Sequence, residues 1–436
     1  MAENQNIHES ELWIDRGDEF SAHDDIIRAI ECYGRAIEFN TRSYTAYFKR
    51  GTMYEKNKEY AKAIDDFNNA ISLNPEFSFA YFRRGSVYLE VHQYENALND
   101  FNKAIELNPN LSFAYHKRGL IYLKDNELDL ALENFNRAIE LDESSSQSYF
   151  QRGNIYFTRN EFMKALQDYT KSLRLEPSNT IALISRGLTY LNLNNYSDAL
   201  NDFTLAIKIN PNQSLAYNYR GMTFVKLKDY VSALKDFQAL LELEPNNSEV
   251  YNNLGVVHFS MKEFPSAVQD FSNALELDPN SAQIYFNRGN AYYYLRKFNE
   301  AISDYDNAIY LDPRMYWAYY GKGNVLLMKN KTMEAIKEYT KAISINPKFY
   351  QGYISRGNAF MKIRYYSKAE EDYTLAIEIE PKNSVGYLNR GIAFKTNKQI
   401  DHAARDFKEF LRLVPDSTKA AQQVKRWLKS MNYDID

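Results

Sequence analysis

The side chains that most often carry catalysis or bind metal ions are few and scattered in this sequence. The only cysteine is Cys32, and no His or Cys stands at metal-ligand spacing from another. Neither a phosphate-binding loop nor a nucleophile elbow is present. We therefore expect no enzyme, no metal site and no cofactor. The six histidines are His8, His23, His92, His116, His258 and His402.

Aromatic and amide side chains concentrate instead between residues 286 and 328. Trp317 and Tyr320 are three residues apart, so on a helix they point the same way. Tryptophan and tyrosine are over-represented among residues that dominate protein interfaces. We expect a contact site for a partner polypeptide here, although these rings could also pack internally. The set is Phe286, Asn290, Tyr293, Tyr294, Trp317, Tyr320, Asn324 and Met328.

A second set combines three cations with aromatic rings between residues 48 and 150. Two interpretations remain open for it: a surface that binds an acidic peptide through apolar anchors, or solvated cations above ordinary packing. The set is Phe48, Lys49, Phe79, Phe82, Arg83, Phe113, His116, Lys117 and Phe150.

The elements that position these residues follow from an internal repeat of 34 residues. Glycine recurs at this period twelve times without an insertion or a deletion, from Gly17 to Gly391. Twelve residues after each glycine comes an alanine, and sixteen residues after it comes a tyrosine or a phenylalanine. Repetition at such a period predicts a stack of identical supersecondary units.

Each unit contains two helical patterns. In the unit from Ser78 to Leu111, Tyr81, Gly85 and Tyr88 share one face of a first helix. A second pattern runs from Tyr94 to Leu107, and Asn108-Pro109 ends it because the residue before a proline is pushed away from helical angles. The pattern predicts twelve helical hairpins and an all-α fold.

These residues resemble the tetratricopeptide repeat family, in which an aromatic residue, Gly, Tyr, Ala, a second aromatic residue and Pro recur at fixed offsets. The resemblance spans residues 10–417. It implies a right-handed superhelix whose first helices line a concave groove for peptides or partner helices. The groove positions lie six, three and two residues before each glycine and one, four and five after it. Both sets described above occupy such positions.

The resemblance also bears on which partners to expect. Family members that grip the carboxylate tails of heat-shock chaperones have a lysine three residues before the glycine, and no repeat has one here. We therefore expect no binding to such tails. The asparagines in groove positions resemble the asparagine ladder of O-linked N-acetylglucosamine transferases, although chance enrichment remains an alternative. They are Asn218, Asn252, Asn253, Asn287, Asn290, Asn324, Asn358 and Asn389.

An arginine precedes the glycine in ten repeats, and an aspartate lies fifteen residues after it in nine. The two positions are about one turn apart in an antiparallel hairpin, which predicts an ion pair such as Arg84 with Asp100. A phosphate-binding role for the arginines is the alternative. Repeat ten changes both partners, to Lys322 and Glu338.

We divide the chain into a polar tail (1–9), twelve repeats (10–417) and a capping helix with a short tail (418–436). In the last segment Ala420, Val424 and Leu428 share a face, as expected for a helix that covers the apolar end of a stack.

Composition limits the possible partners. The net charge is −4 with a pI near 6.0, which disfavours nucleic acid. There is neither a signal-peptide pattern nor an apolar run long enough to cross a membrane. We expect a cytoplasmic, non-catalytic scaffold or adaptor that binds proteins or extended peptides and no small-molecule substrate. The alternatives are an architectural brace in a cytoskeletal or ciliary assembly and, less favoured, an RNA-binding helical-repeat protein. The oligomeric state stays open.

Overall fold

The computed structural model describes residues 2–433, and every regular element in that range is an α-helix. Hairpin n consists of helices α(2n−1) and α(2n), and α25 follows hairpin twelve. In chain order the helices are α1 Ala2–Ala22, α2 Ile26–Phe39, α3 Tyr44–Lys56, α4 Tyr60–Leu73, α5 Ser78–Glu90, α6 Tyr94–Leu107, α7 Ser112–Lys124, α8 Leu128–Leu141, α9 Ser146–Thr158, α10 Phe162–Leu175, α11 Thr180–Asn192, α12 Tyr196–Ile209, α13 Ser214–Lys226, α14 Tyr230–Leu243, α15 Ser248–Ser260, α16 Phe264–Leu277, α17 Ala282–Tyr294, α18 Phe298–Leu311, α19 Tyr316–Met328, α20 Thr332–Ile345, α21 Tyr350–Lys362, α22 Tyr366–Ile379, α23 Ser384–Thr396, α24 Ile400–Leu413 and α25 Lys419–Ser430.

The chain divides into two compact units, one up to Ala216 and one from Tyr217. Hairpins one to six lie in the first unit and hairpins eight to twelve in the second. Within each unit the two helices of a hairpin pack on each other, and the second helix also packs on the first helix of the next hairpin. First helices of successive hairpins touch as well, for example α17 with α19 and α19 with α21. The twelve hairpins confirm the predicted all-α solenoid class.

The turn inside each hairpin depends on one residue in the left-handed region. Lys262 has φ 64°, and its equivalents in the other hairpins have similar values. The Glu263 N–H donates to the His258 carbonyl at 2.9 Å, and the Lys262 N–H donates to the Phe259 carbonyl at 3.0 Å. These two bonds satisfy carbonyl groups that the end of the first helix would otherwise leave free.

The repeated glycine brings the two helices of a hairpin into contact. A Cβ atom at Gly221 would lie 2.8 Å from Cε1 of Phe237, which is closer than two carbon atoms can pack. The aromatic residue of the second helix and the repeated alanine are buried in every hairpin, as are Phe237 and Ala233. The small residue therefore exists to let the large one fill the space between the helices.

The predicted ion pair forms within eight hairpins. In each, the arginine Nε and Nη2 atoms donate to the two oxygens of one carboxylate, at 2.6–2.9 Å. The carboxylate is buried; the Asp304 side chain is 4% exposed and that of Arg288 20%. The pairs are Arg50–Asp66, Arg84–Asp100, Arg152–Asp168, Arg186–Asp202, Arg220–Asp236, Arg288–Asp304, Arg356–Asp372 and Arg390–Asp406.

Repeats that depart from this pair keep the contact with other residues. Arg118 donates to Asn134 at 2.7 Å, and Lys322 pairs with Glu338 at 3.0 Å. Leu254 replaces the arginine of repeat eight, and there His258 hydrogen-bonds to Asp270 at 2.5 Å. Burial raises the pKa of the Asp270 carboxyl, and His258 opposes the rise.

The same arginines also hold neighbouring hairpins together, which the sequence pattern did not suggest. The Nη1 atom of Arg288 donates to Ser272, on the second helix of the preceding hairpin, at 3.1 Å. Six further arginines make the equivalent bond to an asparagine or a threonine sixteen residues earlier: Arg84, Arg118, Arg152, Arg186, Arg356 and Arg390. The arginine column is thus a structural ladder.

The ends differ in detail from the expected boundaries. Helix α1 begins at Ala2, so residues 2–9 extend the first helix where a polar tail was expected; no helix-breaking residue separates them from it. At the other end Ala421, Val424 and Leu428 are buried, while Ala420 is exposed. The buried face of α25 therefore starts one residue later than expected.

Candidate functional site

Seven of the eight aromatic and amide residues singled out between 286 and 328 line one concave pocket of about 310 Å³ in hairpins eight to ten. The pocket contains no charged lining residue. Met328 is absent from it, and its side chain is 55% exposed. The pocket adds three residues that the sequence did not indicate. The lining is Phe259, Phe286, Asn290, Tyr293, Tyr294, Tyr305, Trp317, Tyr320, Gly321 and Asn324.

One wall is built by α19 and the residue that precedes α21. Trp317 packs edge-on against Phe349, with ring centroids 4.7 Å apart, and against Tyr320 at 5.9 Å. Phe349 is buried, whereas Trp317 remains 40% exposed. The indole is therefore held from one side and offers the other to solvent.

The opposite wall comes from the last turn of α17. The ring of Tyr294 stacks on Phe264, with centroids 4.9 Å apart and planes 8° from parallel, and meets Phe259 edge-on at 5.5 Å. Tyr293 packs edge-on against Tyr294 at 5.4 Å. Rings of hairpin eight thus fix the tyrosines of hairpin nine, and Tyr294 is still 57% exposed.

The floor of the pocket is Tyr305, the core aromatic residue of hairpin nine. Its hydroxyl group donates a hydrogen bond to Oδ1 of Asn290 at 2.8 Å. Burial raises the pKa of Tyr305, so this hydroxyl keeps its proton. Gly321 makes room for the ring, because a Cβ atom there would lie 2.7 Å from Cζ of Tyr305.

Asn324 has the same structural bond, since the hydroxyl of Tyr339 donates to its Oδ1 at 2.8 Å. Five hairpins have a tyrosine rather than a phenylalanine in the second helix, and each has Asp or Asn directly after its glycine. The five pairs are Tyr33–Asp18, Tyr169–Asn154, Tyr305–Asn290, Tyr339–Asn324 and Tyr373–Asn358. The other seven hairpins combine phenylalanine with Thr, Ser, Leu, Met, Val or Ile. This pairing was visible in the sequence and explains part of the asparagine enrichment.

The remaining groove asparagines bond to one another. Nδ2 of Asn253 donates to Asn218 at 3.3 Å, and Nδ2 of Asn287 donates to Asn252 at 3.0 Å. Asn389 donates in the same way to Asn358 at 3.2 Å. These amides therefore link adjacent hairpins.

The basic-aromatic set of hairpins two to five is not a free cationic surface. Lys49 forms an ion pair with Asp18, and Arg83 pairs with Glu55 at 3.5 Å. Burial raises the pKa of Glu55, while Arg83 and Lys117 oppose the rise. Carboxylates of the groove itself thus offset two of the three cations, which weakens the interpretation as a site for an acidic peptide.

His116 is a core residue rather than a groove contact. It is buried, its Nδ1 lies 2.9 Å from Oγ of Ser148, and its ring packs on Phe135 at 5.6 Å. Burial, with a smaller effect of Lys117, lowers its pKa to about 4. The histidine is therefore neutral near pH 7.

The phenylalanines of this set divide into packed and exposed rings. Phe48, Phe82 and Phe150 are half-buried and lean on core aromatic residues, with centroids 5.8–6.1 Å apart. Phe79 and Phe113 are 46% and 61% exposed. The packed rings lie three residues before the repeated glycine and the exposed rings lie six residues before it, so the two groove positions differ in burial.

Between residues 2 and 433, no group of three or more His, Cys, Asp or Glu side chains is placed to hold a metal ion. No helix in that range is both long enough and apolar enough to cross a bilayer.

Sequence comparison finds repeat families along most of the chain. Models described as tetratricopeptide repeat match residues 44–77, 78–111, 101–133, 146–179, 180–213, 214–247, 282–315, 316–349 and 350–383. A model described as TPR repeat matches residues 119–158 and 258–295. No match is found among curated proteins.

Solved structures of similar fold include yeast Tom70, which is 18% identical over 97% of this chain and 95% of that one, with a TM-score of 0.46. The Cut9–Hcn1 hetero-tetramer of APC/C contains a chain that is 14% identical over 96% of both chains, with a TM-score of 0.47. YrrB, titled a TPR protein with an unusual peptide-binding site, is 26% identical over 43% of this chain and 97% of its own, with a TM-score of 0.38.

The matched repeats and the folded hairpins agree in position. The match at 282–315 covers α17 and α18, and the match at 316–349 covers α19 and α20. Repeats of this kind generally build non-catalytic scaffolds for protein interactions. The chain belongs to the tetratricopeptide repeat family.

Proposed function

We propose that this protein is a non-catalytic scaffold that binds an extended segment of a partner protein in the pocket of hairpins eight to ten. One observation carries the proposal: aromatic and amide side chains from three successive first helices converge on a single uncharged concavity. The fold does not require this arrangement, because several other hairpins have Glu, Gln or Thr at the position of Trp317 and Lys, Ala or Thr at the position of Tyr294.

The energetic basis is the partly exposed aromatic surface. Trp317 and Tyr294 are each about half exposed, so a partner can remove apolar area from water without first unfolding the pocket. Their neighbours Phe349 and Phe264 hold the rings in place, which reduces the entropy lost on binding. Rigid aromatic anchors of this type dominate the binding energy at protein interfaces.

The test compares two substitutions on the same helix. Trp317→Ala removes a pocket wall, whereas Met328→Ala removes an exposed side chain outside the pocket. Peptides selected by the unmodified protein from a random displayed library should bind Trp317→Ala more weakly by about 2 kcal/mol or more. They should bind Met328→Ala normally.

Stability must be measured in parallel, since lost folding would imitate lost binding. Phe271 is a buried core residue, so Phe271→Ala should cost the fold about 3–5 kcal/mol. Trp317→Ala should cost far less. If Trp317→Ala unfolds as readily as Phe271→Ala while its folded fraction still binds the peptides, the pocket is core and the proposal is wrong.

A further inference from the structure

In the pocket, side-chain oxygens already accept hydrogen bonds from the protein, whereas several N–H groups make none. The side-chain oxygens of Asn290 and Asn324 each already accept a bond from a buried tyrosine. The Tyr320 hydroxyl oxygen accepts from Ser355 at 3.3 Å, which leaves its proton to be donated. Each amide oxygen therefore keeps one lone pair, and the other acceptors of the lining are the hydroxyl oxygens of Tyr293, Tyr294 and Tyr320.

The donors in the same pocket are free. Among the described residues, Nδ2 of Asn290 and Nδ2 of Asn324 have no hydrogen-bond partner, and neither does Nε1 of Trp317. No carboxylate lines the pocket. The site thus combines aromatic faces, several N–H and O–H donors and no charge.

These donors, acceptors and aromatic faces limit which chemical groups a bound segment can carry. The N–H and O–H donors of the lining outnumber its remaining acceptor positions, so a segment rich in N–H groups would leave donors unpaired, and an unsatisfied buried donor lowers affinity. A lysine or arginine would meet no counter-charge, and a carboxylate would meet no cation. The best ligand supplies carbonyl oxygens, apolar rings and few N–H groups.

We infer that the occupant is a proline-containing segment in the polyproline II conformation. This inference rests on the proposed function. Proline has no backbone N–H but keeps its carbonyl, so it matches a site whose donors outnumber its acceptors. Its ring packs on aromatic faces, and the extended helix is already formed before binding, which limits the entropy cost.

The test measures binding through the fluorescence of Trp317 itself. Trp13→Phe with Trp427→Phe leaves Trp317 as the only tryptophan, because the chain has three. This protein is titrated with a blocked proline-rich peptide of about ten residues. Two matched peptides follow: one with alanine for every proline, which restores the N–H groups, and one with a trimethyl-lysine at its centre.

We expect saturable change in Trp317 fluorescence with the proline peptide and affinity weaker by about tenfold or more with the alanine peptide. Equal binding of the alanine peptide, or no saturation with the proline peptide, overturns the inference. Tighter binding of the trimethyl-lysine peptide also overturns it, because the pocket would then act as an aromatic cage for a cation.

A paired substitution tests the role of the donors. Tyr305→Phe with Asn290→Leu copies the pair Phe203 and Leu188 of hairpin six, so the hairpin keeps a combination that the chain already uses. Loss of the Asn290 donor should weaken binding of the proline peptide by about tenfold. Unchanged affinity would contradict the donor argument.

Selection of peptides from the random displayed library separates the two proposals. If the selected peptides depend on Trp317 but contain no enrichment of proline, this inference fails and the proposed function stands. If no selected peptide depends on Trp317, both fail.

Discussion

At the scale of single residues, the bond between Tyr305 and Asn290 shows how a groove position can serve the core. Tyr305→Phe removes the hydroxyl that donates to Asn290, and we expect a loss of about 1 kcal/mol in stability. Adding Asn290→Leu should restore part of it, because Leu188 and Phe203 occupy the equivalent positions of hairpin six. Urea unfolding of the two single variants and the double variant measures this. Strictly additive effects would show that the two side chains do not interact.

His116 predicts a pH dependence of stability. Its folded-state pKa of about 4 lies below the ordinary value of 6.5, so the folded state resists protonation while the unfolded state does not. The contribution is fully present above pH 6.5 and is lost as the pH falls towards 4. The loss should approach about 3 kcal/mol.

The control for this prediction comes from other hairpins. Phe48, Phe82, Phe150 and Phe286 occupy the position of His116, so His116→Phe should fold. Hydrogen-exchange protection of α7 and α9, corrected for the pH dependence of intrinsic amide exchange, should fall between about pH 7 and pH 4 in the unmodified protein and fall much less in this variant. The same dependence in both proteins would assign it to another group.

At the scale of helices and hairpins, the ion pair of Arg288 and Asp304 should be costly to break and cheap to replace. Arg288→Leu leaves Asp304 buried without its partner, and we expect a loss of about 3 kcal/mol. Repeat eight shows a replacement, since its leucine is accompanied by a histidine that bonds to the aspartate.

The matched rescue is therefore Arg288→Leu with Tyr292→His, which copies Leu254 and His258. Hydrogen exchange, measured in hairpin nine as the temperature rises, should show that the double variant recovers much of the lost protection. If the double variant is less stable than Arg288→Leu alone, a histidine at this position does not replace the arginine as the partner of the buried aspartate.

Much of the packing within a hairpin could be predicted from the sequence. A strict 34-residue period places the glycine of one helix opposite the aromatic residue of the next, and the Arg–Asp pair follows from the same register. The contacts between hairpins could not be predicted in this way. Lys49 meets Asp18 across 31 residues, and Arg83 meets Glu55 across 28, so the packing of neighbouring hairpins decides them.

The candidate site shows the same limit. Trp317, Tyr320 and Tyr293 occupy groove positions and line one pocket, because side chains on adjacent first helices face one another. Met328 lies one turn after Asn324 on α19, also at a groove position. The sequence therefore did not indicate that it would lie outside the pocket. The depth of the pocket depends on Gly321, whose missing side chain leaves room for the buried Tyr305 ring, and a list of large residues does not reveal such a gap.

At the scale of the whole molecule, stability should be local. A Cβ atom at Gly221 would collide with Phe237, so Gly221→Leu should separate the two helices of hairpin seven. Because each hairpin contacts only its neighbours, we expect hydrogen-exchange protection to fall around α13 to α16 and to persist in α5, α6, α23 and α24. Uniform loss of protection along the chain would contradict this.

The arginine ladder also gives the stack a direction. Seven arginines of first helices bond to a side chain sixteen residues earlier, in a hairpin that the ribosome has already made. A newly synthesised hairpin can therefore form these bonds with the hairpin before it. None of the bonds requires a residue that has not yet been translated. Together with the short range of the ion pairs, this suits assembly from the amino terminus onwards, one hairpin at a time, while the rest of the polypeptide is still being made.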